Sequence, residues 1–401
     1  MINLLYLGNV GSQDQLSYYI KNSKNGYQFA AQNLQESIIE GFLANDCNIN
    51  VLSVPYLSTY PKGYKKAFVP SCDFVISGKT LGRSIGYLNL PFVNKPTMRT
   101  IIKHIRRWYD NATGIKAIFV YSLSPYFMRI ALEAKKLYPD IIISIIVPDL
   151  PRFMGHNKYV EMLGLYEKEE AYIYSSIKKF DRIVVLAKPM LDDLGVTNIP
   201  SIVMEGIFSG HVNETVTAKS TDEKIILYTG NIDERYGIVE LLDAFALLPD
   251  PTYRLYIRGN GSTFKSVMER AEKDKRIKYI EPLSRAELIE LQRKASLLVN
   301  PVSESQEFTQ YFFPSKTMDY LASATPVLMY KLKCMPSEYS DVLYYAEGKG
   351  ATALAKSIES ILSHSYKDAI ARGQAAARFI KDKKNPKVQT KLIIDLIQNY
   401  E

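Results

Sequence analysis

The stretch KIILYTGNIDERYGIVELLDAFAL, Lys224 to Leu247, carries the pattern that decides the fold. Lys224 to Tyr228 is an apolar run of strand length, the composition of a strand buried on both faces. Gly230 ends it, a polar turn carries Arg235, and from Ile238 to Leu247 apolar residues recur at helical spacing. A strand, a turn and a helix in that order are half of a βαβ unit.

The alternation continues downstream. Tyr253 to Ile257, Ile277 to Ile280, Leu297 to Asn300 and Val327 to Met329 read as strands. Phe264 to Lys273, Arg285 to Lys294 and Ser315 to Ser323 read as helices between them. From Ala351 onward the chain reads as mostly helical, ending in the amphipathic segment Val388 to Ile397. Upstream the same pattern occurs. Strands are expected at Asn3 to Leu7, Asn48 to Ser53, Ala117 to Tyr121, Ile141 to Val147 and Arg182 to Leu186. Helices are expected at Gln28 to Leu43, Pro125 to Leu137 and Tyr159 to Lys179. Strands separated by helix-length segments imply parallel sheets with right-handed crossovers. Between the two series, Gly210 to Asp222 is rich in Asn, Thr, Ser and Lys and reads as a linker. The expected class is α/β, with two Rossmann-like, doubly wound lobes.

A chain of 401 residues, 47% hydrophobic and 23% charged, is long enough for two cores and shows no disordered composition. The start, MINLLYLGNVGSQDQ, lacks a basic region, and its apolar run breaks at Gly8 and Asn9, so it does not read as a secretory signal. No run approaches the length of a membrane span. Cys47, Cys72 and Cys334 have neither metal-ligand spacing nor a partner count for a disulfide framework, which suits a reducing cytoplasm. The four histidines, His104, His156, His211 and His364, are scattered and suggest no zinc site. A net charge of +8 favours an anionic partner. Gly78-Lys79-Thr80 ends like a P-loop, but Asp73 stands where the first glycine belongs. Gly259-Asn260-Gly261 lacks the third glycine of a dinucleotide fingerprint, because Phe264 stands there. It reads as a strand-end turn against which a nucleotide can lie.

Two segments carry chemistry. In the first, Gly230, Asn231 and Arg235 occupy the turn between strand and helix, either as an ordinary turn with a solvated arginine or as an anion site. The second is EFTQYFFPSKTMD, Glu307 to Asp319. Pro314 suits a helix start and Ser315 can cap it, which sets Lys316 in the first turn, where the macrodipole disfavours a cation unless an anion sits there too. Asp319 lies one turn on, on the same face. A phosphate-and-ribose ligand along that face would meet Lys316 with its phosphates and Asp319 with its hydroxyls. A plain surface helix is the competing reading.

These segments resemble the bacterial glycosyltransferase family 4 and its relatives, of the GT-B fold, most of all those that build cell-surface polysaccharides. The residues that carry the resemblance are YTGNIDERYGIVELLDAF, YRLYIRGNG and VNPVSESQEFTQYFFPSKTMDYLASATPVL, from about Lys224 to Tyr330, with a weaker continuation through Arg378 to Asn385 and the final helix. In the first lobe it rests on the order of elements and on Val147 to Pro151. The resemblance implies an acceptor lobe at 1–210, a donor lobe at 211–380, a cleft between them and a C-terminal helix, 381–401, returning to the first lobe. It implies a nucleotide-diphosphate sugar as donor, a glycan or polyprenyl-linked acceptor, a retained anomeric configuration and no cofactor. Arg235 and Lys316 would bind the diphosphate, with Ser315, Gly230, Asn231 and Gly259 around it. Asp319 would bind the ribose, and Glu281, Pro282 and Leu283 would line the base. Glu307, with Phe308 and Thr309, would meet the donor sugar. Gly8, Asn9 and Gly11 would face the acceptor and the phosphates, and Asp149 is the catalytic candidate of the first lobe. Departures are visible. Glu307 and Asp319 stand twelve residues apart where the family's paired glutamates stand about eight apart, and Pro148 occupies the place of a histidine that many relatives carry. No Asp-x-Asp pair occurs to hold a metal on the diphosphate, so protein cations would do that work.

Other readings compete. A nucleotide-sugar epimerase or phosphorylase, or a non-catalytic nucleotide-binding protein, fits the same two-lobed plan. Lys95 to Asp110 and Tyr60 to Lys66 mix basic with aromatic or aliphatic residues, as segments that touch an anionic membrane do. A helix burying one apolar face accounts equally for the first of them. No nucleic-acid motif is present. The expected location is the cytoplasm, at the inner face of the plasma membrane.

Overall fold

The computed structural model describes residues 2–24, 29–76, 78, 80–91, 93–153, 165–210, 212, 222–311, 313–364 and 366–399. It divides into two compact units, one formed by Met1–Ile207 with Pro386–Glu401, the other by Phe208–Asn385.

The first unit holds an eight-stranded sheet. Its strands are β1 (Ile2–Gly8), β2 (Asn48–Ser53), β4 (Cys72–Ile76), β5 (Thr80–Ser84), β7 (Ile115–Tyr121), β8 (Ile142–Val147), β9 (Arg182–Val185) and β10 (Ser201–Val203). Their order is β10-β9-β8-β7-β1-β2-β5-β4. All neighbours run parallel except β4, which pairs antiparallel with β5. A separate antiparallel ribbon joins β3 (Phe68–Val69) to β6 (Tyr87–Leu88). The expected parallel sheet is therefore extended at one edge by an antiparallel hairpin. Every residue of β1 and of β8 is buried, as befits strands covered on both faces.

The second unit holds a six-stranded, wholly parallel sheet. Its strands are β11 (Lys224–Thr229), β12 (Tyr253–Arg258), β13 (Ile277–Tyr279), β14 (Leu297–Asn300), β15 (Val327–Met329) and β16 (Tyr344–Tyr345), in the order β13-β12-β11-β14-β15-β16. Chain order reverses between β1 and β7 in the first sheet, and between β11 and β14 in the second. Ligands of open α/β sheets sit beyond the carboxyl ends of the strands at such switch points. Gly8 ends β1, and Gly230 follows β11 directly.

Local rules set the helix boundaries. Ser284 and Glu287 form a reciprocal cap on the helix Arg285–Lys294, and Ser12 with Gln15 does the same for Gln13–Asn22. Pro125 stands in the first turn of Pro125–Leu137. The helix Met98–Asn111 turns Ile101, Ile105 and Trp108 inward. It thus takes the reading in which the apolar face packs on protein. The upstream part of the helix expected at Tyr159 to Lys179 lies outside the described residues, as does most of the Gly210 to Asp222 linker. The described helix runs Leu165–Ile177.

The C-terminal helix Pro386–Gln398 belongs to the first unit. Its Ile393, Ile394 and Ile397 join Ile38, Ile39 and Phe42 of the helix Phe29–Ala44 in one core. Asn45 Nδ2 donates to Lys387 O at 2.8 Å, and the buried Arg182 donates through Nε to Leu396 O at 2.7 Å. At the crossing, a Cβ on Gly41 would lie 2.3 Å from Pro386 O and 2.5 Å from both outer atoms of Thr390. Gly41→Val is therefore expected to destabilise the first unit by about 2 kcal/mol, the usual range for overpacking. Denaturant unfolding checks this, and an unmoved midpoint would remove the close crossing.

Candidate active site

The carboxyl end of β11 is clamped from below. The Tyr320 hydroxyl, wholly buried on the helix Lys316–Ala322, accepts from Thr229 N at 2.7 Å and donates to Thr229 O at 3.0 Å. Gln292 adds a donor to the Thr229 hydroxyl at 3.3 Å. The backbone then turns through Gly230 at φ +136°, a region L side chains avoid. A Cβ there would lie 2.8 Å from Lys316 Nζ. Beside it Gly259, at φ +156°, follows β12, and a Cβ on it would fall 1.6 Å from Gly230 O. The two strand ends meet because Gly259 carries no side chain, and Gly230 leaves room for the lysine.

Lys316 reaches into this frame. Its Nζ donates to the Tyr228 hydroxyl at 2.7 Å and stands 4.2 Å from the centre of the Tyr228 ring. It lies 5.6 Å from the centre of the Tyr236 ring. The Tyr228 hydroxyl passes its own proton to Asn231 O. Burial lowers the Lys316 pKa to about 7 and raises that of Tyr228. Among the described residues no carboxylate pairs with Lys316. The exposed Arg235 guanidinium lies 5.0 Å from the same ring centre and 6.0 Å from that of Phe308. Phe308 meets Tyr236 edge to face at 6.2 Å. Among the described residues Arg235 also has no carboxylate within ion-pair distance. Two basic side chains thus approach one aromatic ring at a sheet switch point.

The structure revises the expected role of the helix start. Ser315 makes no capping hydrogen bond with its side chain. Thr317 N is taken by Pro314 O at 2.8 Å and Met318 N by Ser315 O at 3.1 Å, so these two N–H groups are spent within the turn. Cationic side chains, rather than the helix end, supply the positive charge. Asp319 keeps part of its surface in solvent, while the protein crowded around its carboxyl raises its pKa against the pull of Arg285.

Of the remaining donor-side candidates, Glu307 is exposed on the turn Glu307–Gln310, next to Phe308. Thr309 is buried and its hydroxyl donates to Gln306 O at 2.6 Å, so it braces that turn. Glu281, Pro282 and Leu283 follow β13, at the carboxyl edge that also holds Gly259. Tyr228, Tyr236 and Tyr320 were not expected here. Their spacing in sequence carries no sign that Tyr228 and Tyr236 meet one lysine while Tyr320 clamps the strand end beside it.

In the first unit, Gly8 and Asp149 lie at the carboxyl ends of β1 and β8, on either side of β7. The Gly8 to Ser12 loop is braced from the helix Phe29–Ala44. Gln35 Oε1 accepts from Asn9 N at 2.9 Å, and Gln32 Oε1 accepts from Gly11 N at 3.3 Å while its Nε2 donates to Gly11 O at 2.7 Å. The Asn9 and Gly11 amides therefore point at glutamines. Asp149 is exposed, yet the surrounding protein raises its pKa; burial, with a smaller push from the Asp149 charge, raises that of Tyr121 at the end of β7.

Residues 212–385 match the family of glycosyl transferases group 1, nearly the whole of the second unit. The fold is that of GT-B glycosyltransferases. Similar solved structures include an α,α-trehalose 6-phosphate synthase from Burkholderia multivorans, with TM-score 0.63 and 9% identity over 99% of this chain and 98% of that one. A sucrose-phosphate synthase from Thermosynechococcus elongatus aligns with TM-score 0.60 and 14% identity over 98% of each chain. Anabaena HepE, solved in complex with UDP, aligns with TM-score 0.61 and 11% identity over 99% of this chain and all of that one. No curated protein matches by sequence.

The glycine pair is directly testable. Gly259→Ala is expected to cost roughly 2 kcal/mol or more, because the new Cβ meets a carbonyl oxygen and the backbone angle is strained. A melting temperature equal to wild type would show that the strand ends are not in contact.

Proposed function

We propose that this protein is a glycosyltransferase that moves a sugar from a nucleotide-diphosphate donor to a glycan or lipid-linked acceptor in cell-surface polysaccharide synthesis. The observation that carries the reading is the pair of cations, Lys316 and Arg235, around the Tyr236 ring, neither matched by a carboxylate among the described residues. Such a pair is shaped for an anion of more than one charge. The match of the second unit to glycosyl transferases group 1 and the UDP held by the Anabaena neighbour support a nucleoside diphosphate as that anion.

In this reading Lys316 and Arg235 stabilise the charge that grows on the leaving diphosphate, without a cofactor of the protein's own. Asp319 receives the ribose hydroxyls, residues Glu281 to Leu283 border the base, and Glu307 approaches the donor sugar. Asp149 and the Gly8 to Gly11 loop serve the acceptor. The sugar keeps its anomeric configuration, and the enzyme works at the cytoplasmic face of a membrane. Among the described residues, no helix is long and apolar enough to cross one.

Lys316→Ala and Arg235→Ala are each expected to lower turnover by about 10²-fold or more, as for loss of a charge-stabilising donor. The assay is transfer from a panel of nucleotide sugars. Folded variants with near-normal turnover would sink the assignment, and an isomerised donor in the absence of acceptor would indicate an epimerase.

The lysine also sets a pH dependence. With a free pKa near 7, Lys316 is largely neutral at pH 8, and a bound diphosphate raises its pKa. Binding then takes up a proton, so affinity falls as pH rises above 7, by up to about tenfold per unit. Calorimetric titration of UDP in buffers of different ionisation enthalpy reads this uptake directly. Lys316→Ala should abolish the uptake and flatten the profile.

A further inference from the structure

Between β2 and the helix Met98–Asn111, residues 54–97 make an excursion of short strands and turns. Its ribbon has an inverted surface. Val69 and Tyr87, paired across β3 and β6, are buried. Their neighbours Phe68 and Leu88, also paired, point outward and are 57% and 52% exposed. Alternation along the strands extends that outer row to Lys66 on one side and Leu90 on the other. Leu90 in turn bridges to Val93, which is 56% exposed. Asn89, wholly buried, fastens the ribbon to the loop before it, donating to Ala67 O at 2.8 Å and to Ser58 O at 2.9 Å and accepting from Tyr60 N at 3.0 Å. That loop presents Tyr60 and, further back, Tyr56, the latter 66% exposed. A water-facing ribbon ordinarily carries polar residues on this side. An apolar row held by a buried asparagine implies something that covers it.

The charge around the row identifies the cover. Residues 54–97 contain six lysines and arginines and a single acid, Asp73, which is paired with Arg83 at 3.0 Å. Lys62, Lys65 and Lys66 are exposed. A second copy of the chain would set this cationic rim against its own like, which opposes association. A surface that takes aromatic and aliphatic side chains at its boundary and lysines at its negative headgroups suits both features.

We infer that the ribbon and the loop before it form a docking surface for an anionic lipid bilayer, with Tyr56, Tyr60, Phe68, Leu88, Leu90 and Val93 entering the headgroup boundary. The lysines around them meet lipid phosphates. The helix Met98–Asn111 buries Ile101, Ile105 and Trp108 and carries Arg99, Lys103, Arg106 and Arg107. This surface serves the lipid-linked acceptor described above and rests on that reading.

Co-sedimentation of the full chain with vesicles is the test. The protein should pellet with phosphatidylcholine vesicles containing phosphatidylglycerol and stay in solution with phosphatidylcholine alone, and added salt should weaken binding. Phe68→Ser with Leu88→Ser, and separately Lys62→Gln, Lys65→Gln and Lys66→Gln together, should each reduce the bound fraction by about tenfold. Melting temperature and UDP binding should stay as in wild type, which separates loss of docking from loss of fold. Variants that pellet like wild type, or a wild type indifferent to the anionic lipid, would overturn the inference. So would a dimer in light scattering that the Phe68→Ser, Leu88→Ser chain no longer forms, since a second copy would then be the cover. A protein that binds the vesicles but transfers only to water-soluble acceptors would leave the surface standing and remove the lipid-linked acceptor.

Discussion

Lys316 donates to a tyrosine hydroxyl where a carboxylate would ordinarily stand, and that substitution organises the second unit. An ammonium group away from bulk water needs either a counter-charge or a reason to stay neutral. Here the protein supplies rings and a hydroxyl, which position the amine without cancelling it. Much nearby structure keeps that space clear. Gly230 leaves room for the Nζ, Gly259 lets the next strand end close on Gly230, and Tyr320 ties Thr229 to the lysine's own helix. Hydrophobic packing of β11 and β14 behind these residues gives the frame its rigidity.

The two sheets repeat one solution with different chemistry. In each, the first strand in sequence stands beside a strand that returns from the far side, and a glycine follows or ends that first strand. In the second unit the space beyond the glycine is cationic and aromatic. In the first it is bordered by amides braced by Gln32 and Gln35 and by the carboxylate of Asp149. The glutamine bracing also fixes the Gly8 to Ser12 loop without secondary structure of its own.

Much of this was legible in the sequence, and the reasons for the exceptions are physical. Asn48–Ser53, Pro125–Leu137, Phe264–Lys273, Arg285–Lys294, Leu297–Asn300 and Val327–Met329 stand where period and end signals put them. They are long enough, or bounded sharply enough by Pro, Ser or Gly, for local rules to act. The strands between Ser53 and Met98 left no such trace. They are two to five residues long, interrupted by Pro and Gly, and carry apolar residues on the outer face, so alternation points the wrong way. At the candidate site, Lys316 stood out because the macrodipole disfavours a cation in a helix's first turn, and Arg235 because it sits in the turn that follows a buried strand. The tyrosines around them did not, since aromatic residues in strands and helices are ordinary core. Ser315 was expected to cap a helix, but its backbone is already helical there, and its side chain does not bond back.

The chain leaves the first unit after Ile207, builds the whole of the second, and only then returns with the helix that fills the gap beside Phe29–Ala44. On the ribosome, the second unit can therefore complete its sheet while the first still exposes the seat for Ile393, Ile394 and Ile397. The first unit closes last although it is made first. A nascent chain that stalls between Ile207 and Pro386 leaves an apolar groove open on the first unit.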